Sequence, residues 1–501
     1  MVNSMQSHLR WLVLGVLSSA LLLIVIDMTV LYLALPSLTH DLHASPSEKL
    51  WIVNAYALTV AGLLPGMGAL GDRFGYKRLF VTGLVVFGSA SLAAAFSSTP
   101  TMLIAARVAL AIGAAMMMPA TLAIIRHTFE DPQERSVAIG VWAAIASGGA
   151  ALGPVVGGLL LEYFWWGSVF LINVPIVLLA LGLALVALPA SRGNPNRPFD
   201  LLASAQIMIA LVGLTLAIKE AGKAEPSPAT AILAVAVGLV FAVAFVRRQG
   251  SSSTPMLDFA LFRNRTFASA VAAAFVASAA LMGTELVVSQ RLQLVVGLSP
   301  LQAGLAILPI PLAAFVAGPL AGLVLPRVGT ERVLWSSLAL AAAGVLAYLV
   351  GYQSGLSIRI GAFIMIGLGI GAAMTAASSA MLLSAPPDRA GMVASVEEVS
   401  YELGGAFGIA ILGSLMSAVY AASFRLPASV AVPDLAQNGI DGALLAAQAL
   451  PEGLAALLVS RAHAAFDSAF LAVMGAAMVL MFAVSIAIAM VARHGARNGR
   501  A

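Results

Sequence analysis

Fourteen apolar runs follow one another between Trp11 and Val491, many of them near the roughly 20 residues a helix needs to cross a bilayer. They cover 11–36, 50–70, 79–97, 101–125, 136–161, 167–189, 201–218, 229–246, 267–289, 301–325, 333–352, 358–384, 392–420 and 465–491. Hydrophobic residues make up 61% of the chain and charged residues only 10%, too little polar surface for a water-soluble domain. The chain is therefore expected to be an all-α membrane protein, and one helical bundle absorbs all 501 residues. The first run lasts to Pro36 without a clear small-residue cleavage site, which predicts a retained helix rather than a signal peptide.

An even number of spans puts both termini on one side, and the basic residues choose which. With the N-terminus inside, 18 Lys and Arg fall in inside segments against 7 in outside ones. Both termini are thus expected in the cytoplasm by the positive-inside rule. The pI near 9.5 does not point to nucleic acid, because these residues sit in short loops and form no patch. Cysteine is absent, which excludes disulfides and thiolate chemistry.

The chain also repeats itself. "PGMGALGDRFGYKRL" (65–79) realigns with "PLAGLVLPRVGTERV" (319–333) at a constant offset of 254, matching Pro65, Gly68, Arg73, Gly75 and Arg78 to Pro319, Gly322, Arg327, Gly329 and Arg332. Both copies join the second and third helices of a six-helix set. Two such halves, with a substrate cavity between them, are the architecture of a rocking secondary transporter. The expected division is a first six-helix bundle at 1–190, two additional linker helices with a cytoplasmic loop at 191–266, and a second bundle at 267–501. The last of these carries an outer-face loop at 421–464, rich in proline and apolar residues, which suggests a small hairpin or amphipathic piece.

Three motifs give the chain a resemblance to a known family. "GALGDRFGYKRL" (68–79) resembles the loop signature of the major facilitator superfamily. That resemblance implies a cytoplasmic gate built from Gly68, Asp72, Arg73, Gly75, Lys77, Arg78 and Arg327, with Gly68 allowing close helix approach. "GAALGPVVGG" (149–158) resembles the fifth-helix motif of its proton-coupled exporters: Gly149, Gly153, Gly157 and Gly158 form a small face, and Pro154 introduces a bend. "LIAARVALAIGAA" (103–115) resembles the fourth-helix motif, whose arginine falls on Arg107; the usual Gln-Gly is replaced by Leu110 and Ala111. An arginine so deep needs a carboxylate or carbonyl partner.

"IDMTVLYLALP" (26–36) and "WWGSVFLINVP" (165–175) narrow the resemblance to the fourteen-helix drug:proton antiporters, Gly167 standing where an arginine is common. "AGMVASVEEVSYELG" (390–404) is similar to the thirteenth-helix signature of quaternary ammonium and methyl viologen exporters. The resemblance implies proton-coupled efflux of lipophilic mono- and divalent cations, such as quaternary ammonium compounds, methyl viologen, dyes and biguanides. It implies a monomer in a bacterial inner membrane, driven by the proton gradient, with neither cofactor nor metal. At Asn54, where that branch often has an aspartate, this chain can carry neither proton nor charge.

The in-span acids carry the mechanism. Asp27 lies mid-span in the first helix; Glu397, Glu398 and Glu402 lie in the thirteenth, where Glu398 and Glu402 share one face and Glu397 shares another with Tyr401. Adjacent carboxylates cannot both ionise cheaply in a low dielectric, so they are expected to titrate as a coupled group. Asp27, Glu397, Glu398 and Arg107 are the expected proton and cation coupling residues. Tyr32, Asn54, Tyr56, Met117, Met118, Trp142, Glu285, Tyr401 and Glu402 are candidate cavity residues, offering cation–π and soft apolar contacts. Glu285 reads as an interfacial acid near Arg291, and Asp467 as a charge at the start of the last helix.

Rival readings are weaker. Export of a physiological solute (a lipid, peptide or siderophore) with incidental drug efflux would use the same fold, but an anionic solute calls for more in-span cations than Arg107. An intramembrane enzyme lacks its motifs: there is no HExxH, and all six histidines fall at loops or ends. No Walker-type loop is present to bind ATP.

Overall fold

The computed structural model describes residues 2–189, 200–221, 226–252, 259–352, 355–384, 390–425, 434–437 and 439–498, with isolated positions 193, 255 and 257. The first set of helices comprises α1 (Val2–Asp41), α2 (Pro46–Phe74), α3 (Tyr76–Ala95), α4 (Pro100–Thr128), α5 (Pro132–Tyr163), the short α6 (Ser168–Leu171) and α7 (Asn173–Ala187). Then come α8 (Leu201–Ala221) and α9 (Pro228–Ser251). The second set comprises α10 (Arg265–Gln290), α11 (Pro300–Ile307), α12 (Pro309–Val328), α13 (Thr330–Gly351), α14 (Leu356–Leu383), α15 (Ala390–Ser423), the short α16 (Asp434–Gln437) and α17 (Ile440–Ala447), and α18 (Glu452–Asn498).

Local chemistry sets the boundaries. Ser45 and Ser299 cap α2 and α11 in full capping boxes with Glu48 and Gln302, each followed by proline at the first helical position. Asn264 caps α10 by accepting from the Thr266 and Phe267 amides. Gly75 ends α2 and starts α3 at φ 94°, ψ 133°. Gly329 does the same between α12 and α13 at φ 91°, ψ 139°. Both are in a region that side chains disfavour, so the two copies of the sequence repeat make the same one-residue turn.

Among the described residues, twelve helices are long and apolar enough to cross a membrane. The count reaches thirteen if α2 is one span bent by 54° between Pro46–Leu64 and Gly66–Phe74. The expected span at 136–161 falls on α5, whose counted apolar part is Leu152–Tyr163. The last helix begins at Glu452, well before the expected 465, so much of the expected outer loop is helical. α17 packs on α18 and is tied to α2 by Lys49 Nζ–Asp441 Oδ2 at 2.6 Å.

Two apolar cores organise the packing. One gathers side chains mainly from Val13 to Leu188, with Leu286 and Ile409, the other mainly from Leu261 to Ile488. Backbone-directed hydrogen bonds join them toward the end of the molecule where Lys49 lies, the Lys49 end; the opposite one is the Arg73 end. Gln293 Nε2 donates to Leu33 O at 3.2 Å, and Ser289 Oγ to Tyr32 O at 3.1 Å. Glycines make the closure tight. A Cβ at Gly158 would stand 2.7 Å from Leu301 Cα, and one at Gly304 would collide with the Pro154 carbonyl. The other glycines of the α5 motif admit α1: Gly149 faces Leu22 and Val25, Gly153 faces Thr29, and Gly157 faces Val30.

Gly304→Leu is therefore expected to wedge the Lys49 end open. Overpacking of this kind costs roughly 1–3 kcal/mol, enough to raise maleimide labelling of buried Ser289→Cys roughly tenfold. The chain has no cysteine of its own to add background. Unchanged labelling would show that this packing does not hold the end closed.

α8 and α9 form an antiparallel pair in close backbone contact, a Cβ at Gly213 standing 2.9 Å from Gly238 N. Arg248 Nε donates to Asp200 Oδ2 at 2.7 Å and holds that carboxyl below the usual carboxylate range. The tie is complete at neutral pH and is lost as pH falls through that lowered value.

Candidate functional site

The deepest charges are paired inside the first set of helices. Asp27 on α1 and Arg107 on α4 are both about 2% exposed. Arg107 Nη1 donates to Asp27 Oδ2 at 2.5 Å and its Nε to the Ile52 carbonyl at 3.3 Å. The guanidinium lies 4.4 Å from the centroid of the Tyr56 ring. Asn173 at the start of α7 donates to Asp27 Oδ1 at 3.4 Å and to Ser91 at 3.2 Å. Arg107 thus has both kinds of partner that its depth demands, plus an aromatic face. Asn173 was not singled out from sequence, although an amide inside the apolar "FLINVP" run is the signal that marks it.

A cavity of about 90 Å³ opens beside this pair, between the two cores. Met28, Tyr32, Val53, Tyr56, Ala57 and Arg107 line it from one side. Ser278, Leu281, Met282, Met374, Tyr401, Glu402, Gly405 and Ile409 line it from the other. Tyr32 Oη donates to Met282 Sδ at 3.0 Å across the gap. The Tyr56 hydroxyl, Glu402 Oε2 and both amide atoms of Asn54 are buried with no hydrogen-bond partner among the described residues. Tyr56 and Glu402 therefore present unspent polar capacity to the cavity.

α15 carries the remaining acids. Glu402 lies at the cavity, and Glu398 lies one turn closer to the Arg73 end on the same helix face. Glu398 acts electrostatically on Glu402, which also feels Arg107. Glu397 is turned aside: Tyr401 Oη donates to Glu397 Oε1 at 3.2 Å, and the tyrosine's own carbonyl accepts from Ser278 Oγ at 2.6 Å. None of the three forms an ion pair among the described residues. Asp27 neutralises Arg107, so the three carboxylates on α15 are left without a basic partner.

Several expected placements change. Asp27 does not line the cavity; its oxygens are occupied by Arg107 and Asn173. Met117 is fully buried in the first core, where it fills the space beside Gly83. Met118 packs against that core, and Trp142 Nε1 donates to Thr121 Oγ1 at 3.1 Å; neither lines the cavity. The cavity methionines are instead Met28, Met282 and Met374. Glu285 on α10 is partly exposed and close enough to Tyr32 to act on it. Its expected neighbour Arg291 pairs with Asp467 at 2.8 Å, deep within α18 rather than at its start.

Residues 17–409 match the Major Facilitator Superfamily. The chain belongs to that superfamily. As a major facilitator chain it is a secondary transporter and not an enzyme. The methyl viologen resistance protein SmvA of Salmonella typhimurium (strain LT2) is 41% identical over 483 residues, 95% of this chain and 97% of its own. The multidrug efflux pump LfrA of Mycolicibacterium smegmatis is 39% identical over 485 residues, 96% of each chain. Among solved structures, a bacterial homologue of the human lysosomal transporter Spinster covers 96% of this chain at a TM-score of 0.67 and 17% identity, a likeness of fold alone.

Around the superfamily's loop signature the described contacts are local. Asp72 accepts from Tyr76 Oη at 2.7 Å and forms no ion pair among the described residues. Lys77 Nζ donates to the Leu185 and Leu188 carbonyls at 3.0 and 2.7 Å, holding the end of α7. Arg73, Arg78 and Arg327 are exposed, the last donating to the Leu323 carbonyl of its own helix. Among the described residues no atom lies within 4 Å of a Cβ placed at Gly68, and the tight contact is Gly71 under the Tyr76 ring.

Proposed function

We propose that the protein is a proton-coupled multidrug efflux antiporter for lipophilic mono- and divalent cations. The class extends from quaternary ammonium compounds and methyl viologen to cationic dyes and biguanides. The observation that carries this reading is the charge balance at and beside the cavity: Arg107 is already matched by Asp27, while Glu402 at the cavity and Glu397 and Glu398 on the same helix have no basic partner among the described residues. An anionic solute would find no available cation there. The names of the relatives, SmvA for methyl viologen and LfrA for several drugs, support it.

In this reading α5 counts as a full span and the chain crosses fourteen times, as two six-helix bundles (1–190 and 267–501) joined by the pair at 191–266. The Arg73 end faces the cytoplasm with both termini, in a bacterial inner membrane. A lipophilic cation enters from that end, meets Glu398 first and then Glu402, and stacks on Tyr56, Tyr401 and the methionines. Rocking exposes the acids to the outer side, where protons replace the cation. Asp27 and Arg107 act as the buried pair that senses the proton, rather than as a direct cation contact.

The test is proton flux in proteoliposomes holding a pH-sensitive dye, on adding first a monovalent and then a divalent quaternary ammonium compound. Both are expected to drive protons in the direction opposite to their own movement. If neither moves protons, export of a physiological solute is the better account.

A further inference from the structure

α8 lies in the seam between α2 of the first bundle and α15 of the second. Leu211 of α8 is buried in one cluster with Ala57, Leu58 and Ala61 of α2 and Ala406 of α15, flanked by Ile207, Leu403 and Phe407. Ala57 also lines the central cavity, so α8 stands behind the cavity's side wall. α9 packs substantially on α8 alone and leaves most of its own surface uncovered.

The attachments of α8 to the two bundles differ in kind. Toward α2 they interlock. A Cβ at Gly62 would stand 3.0 Å from Met208 Cβ, a near-backbone approach. Lys219 is buried, its Nζ 3.4 Å from the Ser47 carbonyl and 4.1 Å from the Trp51 ring centroid. These contacts tie the Lys49 end of α8 to the start of α2. Toward α15 the contact consists of apolar side chains, and no hydrogen bond or ion pair joins α8 to α15 among the described residues. Apolar surfaces can shear, since one such contact replaces another at little loss.

Resting on the transport reading above, we propose that α8 and α9 travel with the first bundle and form the lipid-side wall of the substrate cavity, across which α15 slides during the stroke. Leu211 and Ile207 are the wall residues, and Leu403 and Phe407 pass over them. The wall keeps acyl chains out of the seam and stops a lipophilic cation from leaving sideways into the bilayer while the bundles rock.

The absence of native cysteine makes this directly testable. One variant carries Gly62→Cys and Met208→Cys, placing α8 on α2 near disulfide geometry. A second carries Leu211→Cys and Ala406→Cys, bridged by oxidation or by a short bifunctional thiol reagent, placing α8 on α15. Bridging the first pair is expected to leave methyl viologen export in vesicles within about twofold of its reduced form; bridging the second should lower it roughly tenfold or more, with recovery on reduction. The reverse pattern, or two bridges with the same effect, overturns the proposal. Wild-type export in the same vesicles separates the two: its absence sinks the transport reading, whereas its presence with the wrong bridging pattern sinks this proposal alone.

Discussion

Asp27→Ala is expected to remove most of the folded protein from the membrane, not merely its activity. The substitution leaves Arg107 buried, with one carbonyl and one ring in place of a full counter-charge. Breaking a buried pair from one side costs about 3–5 kcal/mol, a large share of the net stability of a typical domain. Replacing both partners is expected to behave differently. Asp27→Leu combined with Arg107→Met deletes the charge along with its partner, and such exchanges are often neutral. The double variant should recover folded yield and thermal stability in detergent, yet move no protons. A stable Asp27→Ala would mean that Arg107 finds another counter-charge, with Glu402 across the cavity the first candidate.

The second large effect is expected at Glu398. Glu398→Gln keeps the shape and removes one of the two acids that share a face of α15, the other being Glu402 at the cavity. A unit charge about 5 Å from a bound cation contributes roughly 3 kcal/mol at an effective dielectric near 20, or about a hundredfold in affinity. A divalent substrate needs both acids, whereas a monovalent one can still use Glu402. Divalent export should therefore fall about a hundredfold and monovalent export much less, with folding unchanged because Glu398 holds no ion pair among the described residues. Equal losses for both substrates would indicate a role in the conformational stroke instead.

Much of the architecture was legible in the chain because its signals are one-dimensional. Apolar runs mark spans, and the aligned Gly75 and Gly329 mark the same positive-φ turn in each half. The need of Arg107 for a partner follows from burial energetics alone. What the sequence withheld is rotation about the helix axis. A helix apolar on nearly every face carries no phase, so Met117 and Met28 look alike until the packing shows one in the first core and the other at the cavity. For the same reason the faces of α15 could be read, Glu398 with Glu402 and Glu397 with Tyr401, but not which of them meets the cavity. The start of α18 at Glu452 was hidden by Arg461 and His463, which read as loop residues while sitting on a continuous helix.

Proton release on binding, measured with purified protein in weakly buffered detergent solution, examines most directly whether these acids give up hydrogen ions to make room for a positively charged guest. Adding methyl viologen is expected to acidify the solution in proportion to occupied protein, and the signal should vanish in Glu398→Gln combined with Glu402→Gln. Binding without any acidification in the unsubstituted protein, or the same acidification in the double variant, would contradict the account.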